Sequence, residues 1–168
     1  MRVNILRFSN RINVQGLWCF LVIQAMKKDV AGAISRWEIC YADHNRIFYK
    51  ADGSEADEKE LIRRLLFHLS LCRKNKIPII TFGTNELPIV RTRILFSDIR
   101  GVDLGDLKII SIRKILEDYF FFPKSDHKHT SIVDLAETMN IKTTDATLTE
   151  LLSEIFARVQ PFLPTGVI

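Results

Sequence analysis

The chain is poor in cysteine, and none of the cysteines is spaced as a metal ligand. Cys19, Cys40 and Cys72 are three in number, no CxxC pair occurs, and each lies inside an apolar stretch. A zinc site is therefore not expected, and the thiols read as buried and free in a reducing compartment. Long hydrophobic runs are also missing. The longest is Leu17–Ile23, extended by Ala25 and Met26, well short of the ~20 residues a membrane span requires. Arg2, Arg7 and Arg11 stand near the start without an apolar segment and small-residue cleavage site behind them, so a cytoplasmic protein with no membrane attachment is expected. There is no glycine-rich phosphate loop and no nucleophile elbow. Repeats, low-complexity tracts and linkers are absent too, so residues 1–168 are expected to form one domain.

What is present suits a folded α/β protein. Of 168 residues, 47% are hydrophobic and 26% charged, with 11 Phe and 2 Trp, enough to build a core and to exclude disorder as the main state. The formal charge of +4 and sequence pI near 9.0 permit a nucleic-acid partner without requiring one.

Hydrophobic patterning gives the order of elements. Val3–Phe8 alternates weakly as a first strand. Leu17–Met26 is continuous, β-branched and aromatic, as in a strand buried on both sides. Ser35, Trp37, Ile39 and Tyr41 fall on one face of a third strand, and Arg46–Lys50 forms a fourth after the Asp43-His44-Asn45 turn. Ser54 is the expected N-cap, with Asp57 three residues on, of a helix running to about Asn75. Its buried stripe is Leu61, Leu65, Leu69 and Cys72, with acids first and Arg73, Lys74 and Lys76 last, as the helix dipole favours. Ile77–Phe82 is a fifth strand. Pro88 suits the first turn of a short helix ending near Phe96, and Leu107–Ile110 a short strand. Ile112–Phe121, Ile132–Met139 and Leu148 to about Phe162 are helices, the last with a Thr147/Glu150 capping box. Several strands before the first long helix, then strand–helix alternation, is the order of a ribonuclease H-like fold: α/β, a mixed sheet with helices on both faces.

Four segments occur in an order that resembles the DEDD-type 3′–5′ exonuclease domain, especially the proofreading domain of family B DNA polymerases. Ile5–Ile12 stands where that family has Phe-Asp-x-Glu-Thr. Thr81-Phe82-Gly83-Thr84-Asn85-Glu86-Leu87-Pro88, followed by Arg91, is similar to its Asn-x-x-Phe-Asp-Leu-Pro motif. Ser131–Ile141 resembles its Ser-x-x-x-x-Ala-x-x-x-Gly-Ile helix, and Asp145-Ala146-Thr147-Leu148-Thr149-Glu150-Leu151-Leu152 its Asp-Ala-x-Leu-Thr-x-x-Leu segment. The resemblance implies four carboxylates around two divalent ions that activate water and stabilise the leaving oxygen. This chain offers Ser9 and Arg11 for the first two, Glu86 for the third and Asp145 for the fourth; no Asp or Glu precedes Asp29. Half of the carboxylates are gone, so Ser9, Arg11, Glu86 and Asp145 are expected to be the remnant of a site, with no catalytic residue, metal or cofactor.

Plainer readings stand beside these. Asp145 could cap a helix, Glu86 favour a helix dipole, and Arg11 be solvated. His129 with Asp134 matches a His-x4-Asp pattern, yet a His pair without first-strand acids makes no two-metal site. Arg91, Arg93, Arg100, Lys108, Arg113 and Lys114 could track phosphates or form a solvated face, and Phe120–Phe122 could be core or a base-stacking platform. The expected function is a non-catalytic exonuclease-like module in replication or repair, with single-stranded nucleic acid or a replication or repair protein as partner. The alternatives are an active exonuclease with a rebuilt site and a protein–protein interaction domain.

Overall fold

A computed structural model describes residues 17–26, 32–42, 46–52 (backbone only), 57–120 and 130–168. The expected strand Val3–Phe8, the candidates Ser9 and Arg11, Phe121, Phe122 and the histidines 127 and 129 lie outside the described residues. Five strands form one mixed sheet: β1 (Trp18–Ala25), β2 (Ile34–Ala42), β3 (Arg46–Asp52), β4 (Ile79–Thr81) and β5 (Ile109–Ser111), in the order β3-β2-β1-β4-β5. β1, β2 and β3 pair antiparallel in sequence order. β4 then returns beside β1 in parallel, Cys19 opposite Ile79 and Leu21 opposite Thr81, and β5 adds in parallel to β4. A parallel return needs a crossover. Helix α1 (Glu58–Lys74) makes the first and α2 (Glu86–Phe96) the second; α3 (Ile112–Tyr119), α4 (Ile132–Thr138) and α5 (Leu148–Val159) follow.

The apolar run of β1 is continuous because both of its faces are covered. Cys19 and Leu21 point one way, with Ile39 and Tyr41 of β2 and Ile79 of β4, and meet Leu61, Leu65, Leu69 and Cys72 of α1 and Val90 of α2. Phe20 and Val22 point the other way, with Cys40 and Ile80, onto Ile112 and Ile115 of α3, Leu135 of α4 and Leu152, Ile155 and Phe156 of α5. The period of two along each strand thus sorts one sequence into two cores. Phe156 packs edge-on to Phe20 with ring centroids 5.7 Å apart and tilts against Trp18 at 5.1 Å.

Local chemistry sets the helix ends. The cap of α1 is Asp57, not the expected Ser54: its carboxylate accepts from the Glu60 N–H at 2.8 Å, satisfying an amide that has no partner within the helix. The last helix stops at Val159, short of Phe162, and continues as a 3-10 turn over Gln160–Phe162. Pro161 lacks the N–H that another α turn would need. The expected strand at Leu107–Ile110 sits slightly later, at Ile109–Ser111, in register with Ile79–Thr81. Among the described residues no helix is long and apolar enough to cross a membrane.

Candidate functional site

At the carboxyl end of β4 the chain turns through Phe82-Gly83-Thr84-Asn85 into α2. Thr81 Oγ1 donates to the Gly83 carbonyl at 2.8 Å and tightens the turn. Gly83 N–H donates to Glu86 Oε1 at 3.1 Å, so Glu86 folds back over its own helix start. Its other oxygen, Oε2, is buried and has no hydrogen-bond partner. Burial pushes this carboxyl above its ordinary range, against the pull of the nearby backbone amides and of the Arg113 charge. Desolvation therefore outweighs the groups that favour the ionised form.

Arg113 arrives from the neighbouring strand. Ser111 ends β5 and caps α3, accepting from the Lys114 N–H, and its hydroxyl donates to the Phe82 carbonyl at 3.3 Å. Arg113 N–H donates to the same carbonyl at 3.0 Å. The guanidinium lies 5.0 Å from the Phe82 ring centroid, and its Nη2 donates to the Thr130 carbonyl at 3.2 Å. Glu86 and Arg113, separated by 27 positions in sequence, are thus brought together at the carboxyl ends of two parallel strands, where open α/β sheets place their ligands.

The other expected residues are distributed differently. Asp145 is exposed and has a positive φ of 62°. It does not cap α5. Thr147 does, accepting from the Glu150 N–H at 3.2 Å while its own N–H donates to Glu150 Oε2 at 2.7 Å. The expected capping box is therefore present, and the capping alternative for Asp145 falls to Thr147. Three of the six basic residues, Arg93, Arg100 and Lys114, form ion pairs within the protein. Arg93 is held by Glu58 in a two-pronged pair of 2.7 and 2.6 Å. Arg100 pairs with Asp98 at 3.0 Å and Lys114 with Asp118 at 3.0 Å. Lys108 precedes β5 and Arg113 follows it, so they stand at opposite ends of that strand. Arg91 and Lys108 are exposed and have no ion-pair partner among the described residues.

Two buried polar groups were not anticipated. Glu38 of β2, opposite Val22 of β1, is 4% exposed. It pairs with Arg36 two residues away on the same face of the strand, and Thr149 N–H, in the first turn of α5, points at its Oε2 from 3.4 Å. A carboxylate beneath a helix N-terminus meets the positive end of the dipole. The available signal was the sandwich of Glu38 between Trp37 and Ile39 in a sheet with enough helices to cover both faces. On the opposite face, Tyr41 Oη is 3.1 Å from His68 Nδ1 and 3.8 Å from Cys72 Sγ. Burial lowers His68 from 6.5 to about 4 and pushes the Cys19 thiol up. All three cysteines are buried and none is in a disulfide, as their apolar settings suggested.

No group of three or more His, Cys, Asp or Glu among the described residues is arranged to hold a metal ion. β1, the strand beside both β4 and α5, contains no acid at all. Of the four positions that the exonuclease resemblance matches to carboxylates, Glu86 and Asp145 lie among the described residues and Ser9 and Arg11 do not. The chain matches no known family model and no curated protein.

Proposed function

We propose that this chain is a non-catalytic relative of the DEDD-type 3′–5′ exonucleases, with a ribonuclease H-like fold, acting as an accessory module in replication or repair in the cytoplasm. One observation carries the reading. At the carboxyl end of β4 the motif residue Glu86 stands near an arginine, its carboxyl shifted towards the neutral form, and the sequence has no Asp or Glu before Asp29 to stand for the first two carboxylates. A divalent ion needs clustered, ionised oxygens, whereas one protonatable carboxyl next to a fixed cation is a structural arrangement. Three antiparallel strands followed by strand–helix alternation, with helices on both faces, also support the reading.

Contact with single-stranded nucleic acid is weak and non-specific in this view, on the order of 10⁻⁴–10⁻⁶ M at physiological salt. Arg93, Arg100 and Lys114, three of the six candidate cations, are ion-paired within the protein. The test is incubation of end-labelled DNA and RNA oligonucleotides with Mg²⁺ or Mn²⁺. No shortening is expected; metal-dependent shortening that is abolished by Asp145→Ala would overturn the proposal.

A further inference from the structure

We infer that Cys19 and Cys72 form a redox pair, which a hydroperoxide converts into a disulfide that fastens the end of α1 to β1. The inference is independent of the nuclease reading above.

The period of two along the sheet selects the pair. Cys19 of β1 and Tyr41 of β2 stand directly opposite each other and belong to the core under α1, whereas Cys40, one residue earlier on β2, belongs to the core on the other face. Cys72 joins Cys19 and Tyr41 from the end of α1. Its Sγ lies 3.8 Å from Tyr41 Oη, and Tyr41 Oη lies 3.1 Å from Nδ1 of His68, one helical turn before Cys72. The thiols of Cys19 and Cys72 are hydrogen-bonded to each other. Cys19, Tyr41 and Cys72 are buried, but His68 is half-buried, so the cluster reaches the surface there.

Burial ordinarily makes a thiol inert, but this cluster gives its two sulfurs different acidities. The Cys19 S–H, and with it the Tyr41 O–H, favour a Cys72 thiolate and pull that thiol below its ordinary value against the effect of burial. Burial pushes Cys19 up. Cys72 is therefore the attacking sulfur and Cys19 the resolving one. In the first step the Cys72 sulfur attacks one oxygen of hydrogen peroxide. An S–O bond forms, the O–O bond breaks, and the leaving oxygen departs as water with the thiol proton. In the second step the Cys19 sulfur attacks the Cys72 sulfur. The S–S bond forms, the S–O bond breaks, and a second water leaves with the Cys19 proton. The two thiols together lose two electrons, and one peroxide is reduced to two waters. Reaction waits on opening of the last turn of α1, because helix ends open more readily than the sheet beneath them.

The test treats the full folded chain with hydrogen peroxide, blocks the remaining thiols with N-ethylmaleimide in denaturant, and maps the unreduced peptides by mass spectrometry. A peptide linked through Cys19 and Cys72 is expected, with Cys40 alkylated. Cys40→Ser should form the same bridge at the parent rate. Cys72→Ser should lose thiol to peroxide at least about tenfold more slowly. A third readout needs no variant. The oxidised chain should unfold at a higher urea concentration than the reduced one, because a bridge that fits the fold restricts the unfolded chain. Three results would overturn the inference: no bridge while the fold is intact, a bridge that includes Cys40, or a lower urea midpoint for the oxidised chain.

Discussion

The two faces of the sheet solve the same problem in different ways. Each buries a polar cluster among aliphatic side chains. On the α1 side the cluster is neutral: Tyr41, His68 and the thiols of Cys72 and Cys19, with the His68 ring 5.5 Å from Trp37 and 5.6 Å from Phe67. On the α5 side it is charged: Glu38, answered by Arg36 and by the first turn of α5. A neutral network needs only matched donors and acceptors. A buried charge needs a counter-charge or an oriented dipole. The α5 face therefore ties β2 to the first turn of α5 at one carboxylate, where the α1 face ties two strands and a helix through weaker bonds.

Removing the charge should accordingly have the larger effect. Glu38→Ala leaves the Thr149 amide and the Arg36 guanidinium facing a vacated site, and Arg36 Nε is already buried without a partner. Breaking a fully buried pair costs ~3–5 kcal/mol. Because the Arg36 side chain is 36% exposed, a loss of about 2–3 kcal/mol is expected by urea unfolding. A loss below about 1 kcal/mol would mean the pair behaves as a surface pair, and the contrast between the faces would fail. Replacing both partners with Met and Leu should cost less than Glu38→Ala alone, since no orphaned charge remains.

The neutral face should reveal itself through pH. Burial holds His68 near 4 in the folded chain against 6.5 as its ordinary value. The unfolded chain therefore binds the extra proton first. The stability that neutral His68 contributes is complete above about pH 6.5 and is lost as pH falls through about 4. A shift of this size is worth about 3 kcal/mol for a dry ring, and the partly open ring brings this to about 2 kcal/mol. His68→Gln, which keeps a polar partner for Tyr41 but does not titrate in this range, should show a flatter acid limb than the parent. Parallel limbs in the two proteins would place the acid sensitivity elsewhere.

These two clusters also show where the sequence is readable. The stripe of α1 could be read from Leu61, Leu65, Leu69 and Cys72 because helical periodicity repeats over many residues, and the Thr147/Glu150 box because capping is a local interaction. Tyr41 with His68, and Glu38 with Thr149, are pairs across 27 and 111 positions. No local pattern encodes them; they follow from the order β3-β2-β1-β4-β5, which makes β2 a neighbour of β1 and exposes both its faces to helices. Asp145 shows how a local reading can miss by a short distance. Its place before a helix suggested a cap, but a capping residue two positions later was chemically better placed, and Asp145 lies in an exposed turn. Of the candidate site, Glu86 was visible from its motif. Arg113 was visible only as part of a run of positive charge, because its place beside Phe82 depends on β5 pairing with β4.

Glu86 stands between the two faces, at the turn from β4 into α2, and there the expected effect is smallest and of opposite sign. One carboxylate oxygen accepts from Gly83 and the other is buried without a partner, so the ionised form is poorly solvated. Its carboxyl is shifted up by burial from an ordinary value of 4.5. The folded chain therefore holds this proton more tightly than the unfolded chain, and the stabilisation is complete below the ordinary carboxylate range and lost as pH rises through the shifted value. Glu86→Gln retains an oxygen for Gly83 and removes the ionisation. The variant should melt slightly above the parent at about pH 7.5, and the difference should vanish at about pH 4. Lower stability of Glu86→Gln at neutral pH would show instead that Glu86 is ionised and held by Arg113. The two residues would then form an ion pair of the kind seen at Glu38, and the carboxyl end of β4 would belong with the charged face rather than apart from both.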